Sequence, residues 1–171
     1  MKKITAKSQP RRTHSSSKDL IQIILSDHKP LKQLIQVMKS EDATMAKKKK
    51  AFEEFAPTLL AHAKPEERTL YVSMKKDHDM SVEGTEGDVE HGLADQLCQE
   101  LKKTKDHDLF MAKVKVLAEM VEHHIEEEED KLLPEFRKCS SVEERRTLGE
   151  QYLSAQKNFE SSEIHRLRLV A

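Results

Sequence analysis

The stretch His124-Ile-Glu-Glu-Glu128-Glu129-Asp-Lys-Leu132-Leu133 decides the fold, because it repeats the pattern of His62-Ala-Lys-Pro-Glu66-Glu67-Arg-Thr-Leu70-Tyr71. A second pair of matching segments stands upstream of these two. Asp27-His28 leads to Gln33-Leu34-x-Gln36, and Glu90-His91 leads to Gln96-Leu97-x-Gln99. His28 precedes His62 by 34 residues, and His91 precedes His124 by 33. Two matching pairs in matching order describe two helical hairpins packed with pseudo-twofold symmetry. That symmetry gathers the repeated polar residues around one axis.

The apolar pattern around these segments is helical throughout. Leu20, Ile24, Leu31, Ile35 and Met38 predict a first helix near 18–40, and Phe52, Phe55, Leu59, Leu70 and Met74 a second near 44–75. The polar run from Lys75 to Asp79, with Gly84 and Gly87, reads as a connection. Leu93, Leu97 and Leu101 predict a third helix near 86–104. Val114, Leu117, Val121, Leu132 and Phe136 predict a fourth near 108–138. Residues 142–157 read as a shorter amphipathic helix, followed by a peripheral end. The expected architecture is all-α: an antiparallel up-down four-helix bundle over 18–138, with a short additional C-terminal helix and tail over 139–171.

Composition agrees. The chain has 171 residues, a size for one domain. Charged residues make up 36% and aromatics only 4%, with no Trp and four Gly, which favours helices and starves strands. A net charge of −1 gives no bulk attraction to nucleic acid or membrane, and no run of about 18 apolar residues provides a span. Six Lys and Arg precede the first acid, Asp19, with no apolar core for a signal peptide; residues 1–17 read as a solvated, disordered basic tail. Cys98 and Cys139 have neither zinc-site spacing nor disulfide density, as in a cytoplasmic protein.

The chemistry lies in where the polar residues fall on the apolar stripes. Residues four apart share a helix face, so His62 pairs with Glu66 and His124 with Glu128. Phe52, Phe55, Leu59, His62 and Glu66 step by three and four, as do Leu117, Val121, His124 and Glu128. His28 continues the stripe of Ile24 and Leu31, and His91 that of Ala94 and Cys98. Each therefore faces the core, where an uncompensated carboxylate costs several kcal/mol. A lone histidine on such a face is more often a hydrogen-bonded core residue. Four histidines and two glutamates in a repeat are better explained by a shared metal centre. Imidazole and carboxylate donors suit Fe, Mn or Zn, and the lack of thiolates disfavours Cu(I) or structural zinc.

His28, His62-xxx-Glu66, His91 and His124-xxx-Glu128 resemble the signature of hemerythrin-like, or HHE cation-binding, domains. The flanking Asp27-His28, Glu66-Glu67 and Leu132-Leu133-Pro134 match as well. The resemblance covers about residues 18–138. It implies a non-haem di-iron centre in which Glu66 and Glu128 bridge two ions and the four histidines are terminal ligands. Oxygen-carrying members have a fifth histidine where this chain has Asp95. Glu129 is the alternative to Glu128. Pro65, inside the His62–Glu66 turn, should kink its helix and makes Glu67 the alternative to Glu66; Pro30 suggests a similar bend near His28. His123 points off the stripe. His78 and His107 lie in Asp-rich connections and read as solvated, and Lys47–Lys50 as an exposed turn. Tyr71 is either packing or a hydrogen-bonding neighbour of the centre.

With this ligand set each ion has four protein contacts, which leaves an octahedral ion about two positions for an oxo or hydroxo bridge, water or a small ligand. An open site implies reactivity with O2, peroxide or NO. The expected function is therefore a di-iron protein that binds or senses O2, peroxide, NO or iron. An enzyme with peroxidase, ferroxidase or NO-reducing activity is the alternative, and a metal-free helical interaction module a second one. Oligomeric state is not readable from the sequence.

Overall fold

The computed structural model describes residues 18–170, so the expected basic tail at 1–17 lies outside the described residues. The order is α1 (Leu20–Lys39), α2 (Met45–Arg68), α3 (Leu70–Asp77), α4 (Ser81–Lys103), α5 (His107–Glu127), a π-helical turn (Glu128–Leu132), α6 (Leu133–Cys139) and α7 (Val142–Val170). Among the described residues there is no strand. Four arms form an up-down bundle: α1, α2 continued by α3, α4, and α5 continued by α6. Three-residue to five-residue turns make neighbours antiparallel. Asp19, Thr44 and Asp106 cap the starts of α1, α2 and α5, each side chain accepting a backbone N–H.

Two apolar clusters fill the bundle. One holds Leu31, Ile35, Phe52, Phe55, Val114 and Leu117; the other holds Leu20, Ile24, Leu70, Tyr71, Phe136 and Tyr152. Truncating a fully buried ring such as Phe55 would cost about 3–5 kcal/mol. The repeated histidines lie at the boundary. His28 stands between Ile24 of one cluster and Leu31 of the other, and His124 between Val121 and Leu133. The polar layer therefore lies between two apolar cores that hold its walls.

Several elements depart from the sequence reading. The second helix continues through Pro65 and is interrupted at Thr69 (φ −123°, ψ −77°). Pro65 cannot bond the Ala61 carbonyl. Gln156 of α7 reaches that carbonyl at 3.5 Å, while the Thr69 hydroxyl donates to the Pro65 carbonyl at 2.8 Å. α1 runs through Pro30 without a break. The fourth helix is not uniform: the Leu133 N–H bonds the Glu128 carbonyl, five residues back, just ahead of Pro134. The wider turn relieves the proline and lets Glu128 and Leu133 both face inward.

α4 starts at Ser81, so Gly84 and Gly87 are helical and not a connection. Glycine in a helix costs about 1 kcal/mol. Here it permits contact: a Cβ on Gly87 would stand 2.7 Å from the Tyr71 hydroxyl oxygen. α7 is not short. No Gly or Pro follows Gly149 to stop it, and it docks along α1 and α2 through Leu148, Tyr152 and Gln156. Lys48, expected on an exposed turn, is buried and donates from Nζ to the Met38 carbonyl at the end of α1. His78 is not solvated: it pairs with Glu144 of α7 and packs edge-on against Phe136.

Candidate metal centre

The bundle brings His28 from α1, His62 and Glu66 from α2, His91 from α4, His124 from α5 and Glu128 from the π turn into one buried layer. All six are 5% exposed or less. Three overlapping groups have donor atoms within 4.8 Å of one another: His28, His62 and Glu128; His62, Glu66 and His91; Glu66, His124 and Glu128. His28 Nε2 lies 3.2 Å from Glu128 Oε2, and His62 Nε2 lies 3.1 Å from Glu66 Oε2. Yet none of these four atoms is in a hydrogen bond, nor is Glu66 Oε1. Buried polar atoms of a native protein are rarely left unpaired. Donors at right angles on one ion, each at about 2.1 Å, are separated by about 3 Å. The donor atoms thus converge as ligands do, so the residues fit a cation.

A family model, the hemerythrin HHE cation-binding domain, matches residues 19–136. The chain belongs to this family. No curated protein and no solved structure matches it.

In this hemerythrin-family chain the outer nitrogens of three of the four histidines have hydrogen-bond partners, two of them acids. His28 Nδ1 faces Glu129 at 2.9 Å, and His124 Nδ1 faces Glu90 at 2.5 Å. His62 Nδ1 faces the Tyr152 hydroxyl at 3.2 Å, which donates to Asp27 at 2.8 Å. His91 Nδ1 stands 3.6 Å from Glu67, too far for a hydrogen bond, and has no partner. An acceptor on Nδ1 keeps the proton there and turns the Nε2 lone pair toward the centre. The arrangement also places the two alternative glutamates. Glu67 and Glu129, 23% and 26% exposed, are tied to Lys64 and Lys32, while Glu66 and Glu128 point their carboxylates inward.

Tyr71 lies inside the layer. Its hydroxyl donates to Glu128 Oε1 at 2.8 Å and is 3.4 Å from Nε2 of both His91 and His124. Burial, with Glu128 and Glu66 nearby, keeps the phenol protonated by raising its pKa well above the usual value. Burial and the neighbouring His28 push His62 down to about 3, leaving it neutral. Burial disfavours a charged His124 as well, but Glu128 and Glu90 outweigh it and raise that imidazole to about 9. Burial and the Glu128 charge lift Glu66 above the carboxylate range. Burial also opposes ionisation of Glu128, yet His124 and His28 hold it well below that range. The two carboxylates are thus pushed apart, with Glu66 the one that favours a proton and Glu128 the one that favours its charge.

Asp95 is outside the layer, in a groove with Lys64, Lys102 and Lys103. His123 is 73% exposed and His107 64%. The sequence reading missed Tyr152, Glu90 and Asp27 as supports of the centre. Asp27 and Glu90 were visible as repeat partners; Tyr152 was not, because α7 lies outside the repeat.

Proposed function

We propose that this chain is a non-haem di-iron protein with His28, His62, His91 and His124 as terminal ligands and Glu66 and Glu128 as bridges. It binds or senses O2, peroxide, NO or iron itself. The observation that carries the reading is the buried convergence of six imidazole and carboxylate groups, with inward atoms of His28, His62, Glu66 and Glu128 lacking hydrogen-bond partners. Iron in such a site supplies open positions for a small ligand and reversible one-electron chemistry. The protein's part is to orient the imidazoles through their Nδ1 partners and to exclude bulk water with the apolar layers on either side.

Tyr71 favours a second reading, an enzyme with peroxidase, ferroxidase or NO-reducing activity, since it places a protonated hydroxyl among the ligands. No described helix is long and apolar enough to cross a membrane. Two unpaired cysteines fit a reducing compartment such as the cytoplasm. Metal analysis and an optical spectrum of protein purified anaerobically, then exposed to air, test the proposal. About two irons per chain and a spectrum that changes with air support it. One tight zinc would overturn it, and a colourless, folded, metal-free protein would leave only a helical interaction module.

A further inference from the structure

Among the described residues two cavities reach the buried layer, and they differ in charge. The smaller, about 340 Å³, opens at His62 between Pro30, Pro57 and Ala61. Its one carboxylate, Asp27, is already bonded to Tyr152 and Gln156. The larger, about 520 Å³, opens between α4 and the π turn with α6, and its walls include His124 and Glu128. Seven of its lining residues are Asp or Glu, against two lysines. Lys131 and Lys138 are each neutralised by a wall glutamate, Glu127 and Glu135. Glu83, Glu86 and Asp130 make no ion pair among the described residues. At the inner end stands Glu128, 2% exposed, with Oε2 unpartnered.

We propose that this acidic cavity is the route by which a divalent cation, ferrous iron in particular, reaches the centre from solvent. The inference rests on the di-iron reading and adds iron as a species the site exchanges with its surroundings. A concave wall of one sign, backed by low-dielectric protein, focuses its field and concentrates counter-ions. That field gives no help to neutral O2 or NO and repels an anion. It draws a hydrated dication toward Glu128 and His124, where ligands replace its water one at a time. The second cavity has no such field, so it suits an uncharged molecule.

The test uses the full chain, stripped of metal by a chelator, and cobalt(II) chloride as the probe. Stopped-flow absorption follows loading at low ionic strength in the wild type, in E83Q/E86Q/E135Q and in E41Q/E53Q/E54Q. The first triple removes three exposed wall charges, none of them a ligand. The second removes three exposed charges at the far end of the bundle. The wall variant should load about tenfold or more slowly, with unchanged final cobalt content. Added salt should slow the wild type far more than the wall variant, and the distant variant should behave as the wild type. Equal rates in all three, or equal slowing in both variants, would overturn the route while leaving the centre intact. A wild type that takes up no cobalt would overturn the centre and the route together.

Discussion

His124 Nδ1 bonds directly to the Glu90 carboxylate, at 2.5 Å across the α4–α5 contact. The repeat pairs Glu90-His91 with Asp27-His28, so the equivalent contact is His62 to Asp27. There the tyrosine of α7 intervenes, taking the His62 bond on its hydroxyl and donating to Asp27. The two halves of the centre are therefore braced differently, one by a charge and one by a neutral relay.

Removing either brace should loosen metal without dismantling the site. Y152F keeps the ring and its packing but leaves His62 Nδ1 without an acceptor. We expect metal affinity to fall about 10- to 100-fold, measured by competition with a chelator. E90Q should fall in the same range. Unchanged affinity in both variants would show that the Nδ1 partners do not matter.

Exchanging ligands for their neighbours separates the inner from the outer carboxylates. H62A and H124A should lose metal to a similar extent, because each removes one donor from a symmetric set. H123A, at an exposed position, should retain full content. E66Q and E128Q should be far more damaging than E67Q and E129Q, whose carboxylates lie outside the layer on lysines. Elemental analysis of purified variants reads the result. Greater loss in E67Q than in E66Q would mean that the inner glutamate of α2 was misassigned.

The six inward residues were legible in the sequence because helical spacing and repeat symmetry act together on them: each lies on an apolar stripe and has a counterpart in the other half. Interruptions were harder to read. Thr69 has no special sequence signature, and its backbone break depends on Pro65 four residues earlier and on α7 satisfying the freed carbonyl. The π turn is one residue of slack ahead of Pro134, invisible to a periodicity of three and four. Gly84 and Gly87 were read as a loop because propensity ignores the tyrosine that needs their missing side chains. Tyr152 acts from outside the repeat, so symmetry could not point to it.

Metal binding should release protons and strengthen as pH rises. In the metal-free protein His124 titrates near 9, and burial with the Glu128 charge favours a proton on Glu66. Both protons must leave before these groups bind a cation. Apparent affinity should climb between about pH 7 and 9. Titration calorimetry in buffers of different ionisation enthalpy should show net proton release at pH 7. Stability of the metal-free form moves oppositely. An imidazole with a raised folded pKa contributes most below its unfolded value of 6.5 and loses that contribution as pH rises through about 9. Thermal midpoints of the metal-free protein should therefore fall over that window from this group. Affinity that is flat with pH, with no proton release, would contradict this picture.

Gly87 and Tyr71 supply the last prediction, which separates crowding from the loss of a hydrogen bond. An alanine methyl at 87 would meet the Tyr71 ring and stand 2.7 Å from its hydroxyl oxygen. Tyr71 is fully buried against Leu70, Met74 and Phe136, so it has nowhere to retreat. Alanine at a helical glycine on an open surface would stabilise by about 1 kcal/mol. Here overpacking should reverse the sign and cost about 1–3 kcal/mol. G92A is the internal control, because nothing lies within 4 Å of a Cβ there. Its melting temperature should hold or rise while that of G87A falls. Y71F removes only the hydroxyl, with its bond to Glu128 and its contacts to His91 and His124, so it should leave packing intact and shift the metal's optical spectrum. In Y71F the phenyl ring still fills the space, so adding G87A should destabilise nearly as much as in the wild type. In Y71A the ring is gone, and the same substitution should become neutral. A G87A protein as stable as G92A would show that Tyr71 is not held against α4.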